Sequence, residues 1–561
     1  MNGRFEQGAA TLESEFGRAL DAHRRGALAE AETGYRRVLE FEPTHIDALG
    51  NLGVALQNQG RSAQAVACYR TAISRAPGLA ALWTNLGSAL READLLDDAR
   101  DALLRATELD PRSATAHLNL GNVLRAQGDA TAALGAFECA EACQSGDAAV
   151  MASQGLALKD MGSFSEAVTA FRRALAIAPA NAEIQYNLGN TLRLDGDLDG
   201  AAAALGEAVR LNPAHVAAWC NTGVVEREVG ELDAAVTAFD AAISINPDCA
   251  DAHWNRAIAL LLAGRWQEGF RAYTSRWAAT GTKSYAPDAP SWDGAPLNGR
   301  RIVLWAEQGL GDAIQFARYV PLVAARGGRV IVMAHAPLMR LFETLAGVEA
   351  VLPLDAERVA NDWSGPACDF QAALMDLPAI FGTTPETVPD APYLSAPGAA
   401  EGALAGALDV LPKDVRRVGI VWAGNPDHAN DLNRSLPAHF VAELGKLPGV
   451  GLISFQKGKH TATAANALPL VADLAPHLDD FSATAAAIEV MDLVITVDTA
   501  LAHLAGALGK PTWLLLPHAP DWRWLLNRDD SPWYPTMRLY RQATPGDWST
   551  VIGRVVDDLL V

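Results

Sequence analysis

The chain has 561 residues, of which 50% are hydrophobic and 20% are charged. This length exceeds what one ordinary hydrophobic core needs, so we expect a repeat array together with one or two compact domains. The formal net charge is −21 and no cluster of basic residues stands out, which argues against a nucleic-acid partner. The six cysteines form no CxxC pair and lack zinc-type spacing, so we predict reduced thiols and no metal site.

The N-terminal segment does not resemble a targeting signal. It lacks a basic stretch followed by an apolar core, and no run in the sequence is long enough to span a bilayer. We therefore expect a cytoplasmic protein without a membrane span.

Asparagine, glycine and proline recur along the first half of the chain with a period of 34 residues. In each unit the glycine suits a turn between two antiparallel helices, and the proline ends the second helix. Small and large residues alternate between these marks, as at Gly53 and Tyr69, so that facing helices approach closely. We predict a tetratricopeptide array over residues 12–283, with eight units that begin at residues 12, 46, 80, 114, 148, 182, 216 and 250. Stacked units of this kind form a superhelix with a concave groove that is lined by the first helix of each unit.

The sixth position of the unit is an asparagine in most repeats. We expect these side chains to project into the groove, where each offers a donor and an acceptor to the backbone of an extended peptide. A second interpretation is that asparagine here only stabilises neighbouring helices. The residues concerned are Asn51, Asn85, Asn119, Asn187, Asn221 and Asn255. In this respect the array is similar to that of eukaryotic O-GlcNAc transferase.

The pattern changes after residues 284–297, a predicted linker rich in proline and glycine. Short β-branched runs then alternate with amphipathic stretches, which predicts parallel sheets with crossover helices. The predicted strands are 301–305, 330–333, 418–422, 452–455, 493–497 and 513–516. A second proline-rich linker, near 383–414, separates two Rossmann-like domains at residues 298–395 and 412–561. The predicted fold class is an all-α tetratricopeptide superhelix followed by an α/β region.

Three blocks of the α/β region place polar residues at the ends of predicted strands. They are Gly311-Asp312 with Pro321 one helix later, the loop from Asn425 to Asn433-Arg434-Ser435-Leu436-Pro437, and Val497 to Ala505 followed by Gly509-Lys510-Pro511. Together they resemble the GT-B glycosyltransferases of the ADP-heptose lipopolysaccharide heptosyltransferase type. The resemblance covers about residues 297–541 and departs from the usual Asp-Ser-Gly by having Thr499-Ala500 after Asp498. It implies a nucleotide-sugar donor on the second domain, an acceptor on the first, and transfer in the cleft between them.

The helix that begins near Thr499 presents free N–H groups and a positive dipole end, which suit the phosphate of a leaving group. We predict that Asp498, Thr499 and Ala500 bind the donor, and that a protonated His503 offsets charge on the leaving group. The other interpretation makes Thr499 an N-cap and His503 a packed core residue.

Further donor contacts are predicted at the ends of neighbouring strands. Arg434 is a candidate phosphate fork, and Gln456 and Lys457 follow the next strand in the equivalent place. Solvated loop residues are the alternative for all three. Trp522 is a candidate stacking surface for a base or sugar, with closure of a domain interface as its alternative.

Asp312 is the candidate general base, which would take the proton from the attacking hydroxyl in an inverting displacement. Its rival role is the N-cap of the following helix. The dinucleotide fingerprint fails because Ile314 stands where a third glycine should follow Gly309 and Gly311. No Asp-x-Asp stands at a strand end, so we predict metal-independent transfer, with no cofactor besides the donor substrate.

The leading hypothesis is a cytoplasmic transferase that holds an acceptor protein in the repeat groove and glycosylates its Ser or Thr residues. The joining of such a domain to repeats resembles bacterial protein glycosyltransferases that modify flagellin, which makes flagellin the implied acceptor. A second hypothesis gives the enzyme a glycan or lipid-linked saccharide as acceptor. A third makes the chain a scaffold whose transferase domain is inactive.

Overall fold

The computed structural model of the protein describes residues 2–280, 288–354, 365–428, 430–458 and 468–561, with side chains from residue 12 onward except at residue 280. The chain forms two compact units, residues 1–225 and residues 226–561. The first unit is built of helices, and the second begins with helices and continues into parallel sheets.

The helices of the repeats come in consecutive pairs with the predicted period. The first helix of each pair is α1 (Asn2–Arg24), α3 (Ile46–Gln57), α5 (Ala80–Glu92), α7 (Ala114–Ala126), α9 (Ala148–Asp160), α11 (Ala182–Asp195), α13 (Val216–Val229) or α15 (Ala250–Leu262). The second helix is α2 (Leu28–Phe41), α4 (Ser62–Arg75), α6 (Leu96–Leu109), α8 (Ala130–Cys143), α10 (Phe164–Ile177), α12 (Leu198–Leu211), α14 (Leu232–Ile245) or α16 (Trp266–Ala272). A short helix α17 (Arg276–Thr280) follows the last pair. The turn between paired helices uses the periodic glycine in a left-handed conformation, as at Gly60 with φ 72°.

Close contact between paired helices depends on the glycine of the Asn-x-Gly motif. A Cβ atom at Gly53 would stand 2.5 Å from the ring of Tyr69, which is fully buried. The same arrangement recurs in α7 and α8, where a Cβ at Gly121 would overlap the ring of Phe137. The predicted alternation of small and large residues is therefore confirmed, because each glycine leaves the space that a large residue fills.

The second unit contains two sheets of parallel strands. The first has the order β3-β2-β1-β4, with β1 (Arg301–Trp305), β2 (Arg329–Ala334), β3 (Val348–Pro353) and β4 (Phe370–Ala373). The second has the order β10-β9-β8-β5-β6-β7, with β5 (Arg416–Val421), β6 (Val450–Ser454), β7 (Ala472–Asp473), β8 (Leu493–Val497), β9 (Thr512–Leu516) and β10 (Met537–Arg541). The predicted fold class, a tetratricopeptide array followed by an α/β region with parallel sheets, is confirmed, and the two sheets are consistent with the GT-B arrangement.

Helices cover the sheets between successive strands. In the first half of the α/β region they are α18 (Leu310–Phe316), α19 (Val320–Ala325), α20 (Met339–Phe342) and α21 (Leu377–Phe381). In the second half they are α22 (Gly402–Asp409), α23 (Asp431–Arg434), α24 (Ala438–Leu444), α25 (Phe481–Glu489), α26 (Ala500–Ala507) and α27 (Trp548–Leu559).

In both sheets the strand order reverses direction next to the first strand of the sheet. In the first sheet the reversal lies between β1 and β4, and in the second it lies between β5 and β8. Ligands of open α/β sheets bind at the carboxyl ends of strands at such switch points. The loops that carry Asp312, Arg434 and Asp498 follow β1, β5 and β8, so this topology places them at the two switch points.

The end of the repeats packs against the α/β region within the second unit. Trp266 of α16 stacks on Trp533 with ring centroids 4.6 Å apart, and both side chains are almost fully buried. Phe270 meets Trp522 edge to face at 5.6 Å. The last repeat therefore shares a hydrophobic core with the sheets rather than ending in solvent.

Several local features differ from the sequence-based expectation. Strands β3, β4, β7 and β10 were not predicted; β3 and β7 are only partly buried, and β10 alternates charged and buried residues. Helices α18 and α19 are separated by a 3-10 turn at Ala317–Tyr319, because Pro321 is tolerated in the first turn of a helix but not in its interior. Of the predicted linker, residues 284–287 lie outside the described residues, while Trp292 is buried and donates its backbone N–H to the Gln371 carbonyl.

The glycine contacts give a matched pair of stability predictions. Gly121→Ala should destabilise the array by about 1–3 kcal/mol, because the new Cβ overlaps the Phe137 ring in a packed core. Gly135→Ala, in the middle of α8 with open space around its Cα, should stabilise it by about 0.5–1 kcal/mol through helix propensity. Urea unfolding followed by circular dichroism measures both, and a stabilising Gly121→Ala would contradict this packing.

Candidate active site

Asp312 lies in the first turn of α18, directly after the loop that follows β1. Its Oδ2 accepts the backbone N–H of Gly309, the N-cap residue of α18, at 2.9 Å, and its Oδ1 accepts a bond from Arg523. About a fifth of the side chain, 21%, is exposed. Burial raises the pKa of the Asp312 carboxyl above its usual range, and Arg523 opposes that shift. The residue therefore caps its helix and still presents a carboxylate edge at the switch point.

Arg523 joins the two halves of the α/β region at this point. Its Nε donates to Gln315 Oε1 at 2.7 Å and its Nη1 donates to Asp521 Oδ1 at 2.7 Å, while Nη2 reaches Asp312. Only 9% of its side chain is exposed. Burial opposes the charge, but Asp521 and Asp312 outweigh it and hold the pKa of Arg523 above its usual range. Sequence reasoning did not assign this role, because Arg523 and Asp312 are 211 residues apart in the chain.

Helices α18 and α26 approach closely at Gly311. A Cβ atom there would stand 2.9 Å from His503 Cδ2 and 3.5 Å from Ala500 Cα. Gly311 is thus needed for contact between the acceptor-side motif and the first turn of α26. The contact brings Asp312 and the start of α26 to one place, as the GT-B resemblance implies.

The N-cap side chain of α26 leaves the backbone N–H groups of the first turn without a capping hydrogen bond. Thr499 is the N-cap residue and has extended backbone, but its side chain makes no capping bond and its hydroxyl instead lies 3.2 Å from that of Thr496. Burial and the neighbouring Asp521 raise the pKa of Asp498 to about 6, against the opposing effects of Trp524, Arg523 and Arg434. The helix start therefore has uncapped N–H groups beside a carboxyl that gains a proton more readily than usual.

His503 is a packed residue of α26. Its ring stacks on Trp524 with centroids 5.4 Å apart, its Nδ1 lies 3.0 Å from the Tyr534 hydroxyl, and only 5% of the residue is exposed. Burial, together with Arg523 and Arg318, lowers the pKa of His503 well below its usual value. The predicted protonated imidazole does not agree with this environment, which favours the neutral ring.

Arg434 ties together the loops that follow β5 and β8. Its Nη1 donates to the Asp498 carbonyl at 3.0 Å and its Nε donates to Asp431 Oδ1 at 3.2 Å, with 15% of the side chain exposed. A Cβ at Gly424 would collide with both side chains. The guanidinium is held at the carboxyl edge of the sheet, next to the helix start that is the candidate phosphate site.

Three predicted donor contacts have other partners in the structure. Gln456 is 2% exposed, and its amide accepts from the N–H groups of Trp422 and Ala423 and donates to the carbonyls of Ala423 and Lys457 at 2.9–3.0 Å. All four hydrogen-bonding positions of its amide join the ends of β5 and β6, which favours a structural role for this side chain over donor binding. Lys457 is exposed and donates to the Leu478 carbonyl.

Trp522 is the third of these residues. It is 3% exposed and lies among Phe270, Tyr273 and Trp533, with the Arg523 guanidinium 4.4 Å over its ring. The indole is therefore enclosed by aromatic rings and a guanidinium, which leaves little room for stacking on a base or sugar. The alternative, closure of an interface, describes its surroundings.

The asparagine row divides into two groups by hydrogen bonding. All six side chains are half-buried. Asn255 accepts from Arg227 at 3.1 Å and donates to the Asp251 carbonyl, and Asn221 interacts with Tyr186. Among the residues that the structure describes, no hydrogen-bond partner contacts the side-chain amides of Asn51, Asn85, Asn119 and Asn187. These four amides are therefore free to bind a ligand.

A buried ion cluster lies beside the loop after β1. Arg276 of α17 donates to both carboxylate oxygens of Glu307, at 2.9 and 2.8 Å, and to Asp376 at 2.7 Å. The side chains of Arg276 and Glu307 are each 1% exposed. Burial raises the pKa of Glu307 to about 7 even though Arg276 opposes the shift. The cluster fixes the loop that leads to Gly309 and Asp312, and sequence reasoning did not single it out.

The described residues also bear on metal binding and on membrane spans. Within the described ranges, no group of three or more His, Cys, Asp or Glu side chains is placed to hold a metal ion. None of the described helices combines the length and apolar character that a membrane span requires.

Comparison with known families matches each part of the chain separately. Residues 2–216 match the C-terminal domain of cilia and flagella-associated protein 70, and residues 195–245 and 220–285 match the tetratricopeptide repeat. Residues 450–515 match glycosyltransferase family 9 (heptosyltransferase). This match supports a glycosyltransferase. The matched segment includes Asp498, Thr499 and His503.

Protein FlbA of Caulobacter vibrioides is 30% identical over 336 residues, which are 56% of this chain and 55% of that protein. The chain thus spans about half the length of this curated relative. Among solved structures, a tetratricopeptide repeat protein from Parabacteroides merdae is 16% identical over 45% of this chain and 99% of its own, with a TM-score of 0.38. YrrB, a TPR protein with an unusual peptide-binding site, is 26% identical over 33% of this chain and 95% of its own, with a TM-score of 0.29.

The ion cluster at Glu307 gives a stability prediction. Arg276→Met should destabilise the protein by about 3–5 kcal/mol, because Glu307 is left buried without its cation. A carboxyl whose pKa is raised in the folded state loses stability as the pH rises, so the loss should be larger at about pH 8 than at about pH 5.5. Urea unfolding at the two pH values measures this effect.

The second substitution Glu307→Gln, added to Arg276→Met, is the control. It removes the unpaired charge, so it should restore part of the lost stability and abolish most of the difference between the two pH values. If the single variant had the stability of the wild type, the cluster would not have the structural role assigned here.

Proposed function

We propose that this protein is a cytoplasmic glycosyltransferase that binds an acceptor protein along its repeats and transfers a sugar from a nucleotide-sugar donor to Ser or Thr side chains. Flagellin is the acceptor to test first, because the joining of repeats to a GT-B domain resembles flagellin-modifying enzymes. The observation that carries the proposal is the meeting of Asp312 and the first turn of α26 at Gly311. The family 9 match over residues 450–515 supports the transferase part.

The donor is proposed to bind with its phosphates at the start of α26. The uncapped N–H groups and the dipole of that helix favour an anion, and Arg434 lies at the adjacent loop. We expect Asp498, whose pKa burial raises to about 6, to accept a hydrogen bond from a sugar hydroxyl when it is ionised. In this proposal His503 supports α26 as a neutral packed ring rather than as a charge that contacts the leaving group.

The reaction is proposed to invert the anomeric carbon without a metal ion. The acceptor oxygen forms a bond to the anomeric carbon while the bond from that carbon to the phosphate oxygen breaks. The nucleotide leaves with the electron pair, and Asp312 accepts the proton of the attacking hydroxyl. Asp312 has lone pairs left for this step, because a carboxylate has about four acceptor positions and the structure uses two of them.

The asparagine row is the proposed binding surface for the acceptor protein. The free amides of Asn51, Asn85, Asn119 and Asn187 offer donors and acceptors to the backbone of an extended peptide, with little dependence on its sequence. Their lack of partners favours this interpretation over helix stabilisation alone, because a structural amide would be bonded within the array.

A glycan or lipid-linked saccharide is the second candidate acceptor. The family that matches residues 450–515 is described as a heptosyltransferase, which favours a saccharide acceptor for the α/β region alone. The two candidates differ in which molecule gains mass, and the same experiment distinguishes them.

The test is transfer to protein. Intact-mass spectrometry of proteins from the source cell should show an acceptor that carries sugar with the wild-type gene and loses it without the gene. Asp312→Asn should lower transfer about 100-fold or more, because general base catalysis typically supplies that much.

The control variant is Asp409→Asn, which changes an exposed carboxylate at the end of α22 and should transfer normally. Undiminished transfer by Asp312→Asn would overturn the base assignment. A mass change on a glycan, with none on any protein, would favour the second acceptor.

A further inference from the structure

Basic residues recur at the twelfth position of the repeat, although the chain is acidic overall. They are Arg91, Arg125, Lys159, Arg193 and Arg227, at intervals of 34 residues. Each lies in the last turn of the first helix of its repeat. A cation in this place stabilises the helix dipole, so the recurrence alone does not define a binding surface.

Contacts at the twelfth position define where these side chains lie. Within residues 1–225, Gln57 donates to Glu92 at 3.2 Å and Arg125 lies 3.6 Å from Asp160. Within residues 226–561, Arg227 donates to Asn255 at 3.1 Å. In all three cases the partner stands on the first helix of the following repeat. The position therefore runs along the layer of first helices, which also carries the asparagine row.

Arg91 and Lys159 differ from the other members of this series. Neither has an ion-pair or hydrogen-bond partner among the residues that the structure describes. Asp160 faces Arg125 from the thirteenth position of the next repeat, but Ala126 and Leu194 occupy that position after Arg91 and Lys159. Two cations, two repeats apart, are thus left without an acidic partner.

The neighbouring acidic residues do not neutralise these two cations. Glu92 accepts from Gln57 and from the Ser62 hydroxyl at 2.8 Å, both in the preceding repeat. Asp160 is paired with Arg125, also in the preceding repeat. Each carboxylate that follows a free cation in sequence is therefore turned away from it and toward the repeat before.

We propose that Arg91 with Asn119, and Lys159 with Asn187, form two carboxylate-binding stations that hold Asp or Glu side chains of an extended acidic segment. The contact between Arg227 and Asn255 indicates that a twelfth-position cation reaches the sixth-position amide of the next repeat. The amides of Asn119 and Asn187 are unbonded within the described residues, so each station combines a cation with amide N–H donors.

The net charge of the chain makes these stations selective. An acidic polypeptide is repelled by most of a surface that carries a formal charge of −21, so it should be attracted where cations such as Arg91 and Lys159 stand beside amide donors. The inference rests on the proposed function and deepens it, because it specifies the chemistry of the acceptor segment. The asparagine amides bind its backbone wherever it lies, and the stations fix its register.

The test uses two labelled peptides of about 20 residues, one alternating Glu with Ser and the other alternating Gln with Ser. Fluorescence anisotropy with the full chain should detect binding of the Glu peptide, with much weaker binding of the Gln peptide. Arg91→Gln with Lys159→Gln should weaken the Glu peptide about three- to tenfold, since each pair is partly exposed. Raising the salt concentration should weaken it in the same direction.

The matched control is Arg75→Gln with Arg172→Gln, which removes the same charge from exposed positions on the second helices α4 and α10. This pair should bind the Glu peptide like the wild type. Equal losses in both pairs would overturn the stations and leave only an effect of net charge, and so would equal binding of the two peptides. Asn119→Ala with Asn187→Ala should also weaken the Glu peptide, and circular dichroism verifies that every variant is folded.

Failure of this inference is distinguishable from failure of the proposed function. Peptide binding needs no donor and no transfer, and the transfer assay needs no synthetic peptide. Sugar transfer without preference for the Glu peptide would reject the stations and keep the transferase. Preference for the Glu peptide, without transfer to any protein, would keep the stations and reject the transferase.

Discussion

The guanidinium of Arg523 is the interaction on which the α/β region depends. It is buried between Asp521 of its own segment and Asp312 of the opposite half, and it also bonds Gln315. A buried cation without partners costs several kcal/mol, so the two halves must meet where these acceptors are available. That meeting requires a residue without a side chain at Gly311, since α18 and α26 touch there. Arg523 and Gly311 together keep the candidate base next to the candidate phosphate site.

A second constraint acts at the end of the repeats. Arg276 leaves the last helix of the array and pairs with Glu307, in the loop that leads to Asp312. Trp266 and Phe270 of the last repeat lie in the same core as Trp522 and Trp533. Within the second unit the last repeat is therefore part of the support for the candidate site. In the proposed function, this repeat both ends the acceptor-binding array and fixes the loop on which the base stands.

Periodic and local features could be predicted from the sequence. The 34-residue period defined the helix pairs, and the strands at 301–305 and 493–497 have the predicted bounds because both are buried β-branched runs. Short or partly exposed strands such as Phe370–Ala373 were not predicted, because they lack a distinctive pattern. The sequence also predicted that Asp312, Arg434 and Asp498 follow strands, whereas the strand order that brings them to switch points came from the structure.

Contacts between distant segments could not be predicted in the same way. Gln456 follows a strand like a ligand-binding residue, but its amide is fully used by backbone groups of the adjacent strand end. Trp522 is an aromatic residue of the kind that stacks on ligands, but Phe270 of the last repeat, about 250 residues earlier in the chain, packs against its ring. Burial and two arginines from other segments lower the pKa of His503, which favours the neutral ring. In each case the identity of the residue was informative, and its surroundings decided the role.

Calorimetric titration of UDP-, GDP-, ADP-, dTDP- and CMP-sugars into the full chain tests the central claim, that the start of α26 holds a donor phosphate beside Asp312. We expect binding heat for one nucleotide class, and loss of that heat in Ala500→Asp, which places a negative charge at the proposed phosphate position. This variant should remain folded, because an acidic residue in the first turn of a helix is favourable. No heat for any donor, or equal heat in the folded variant, would contradict donor binding at the start of α26.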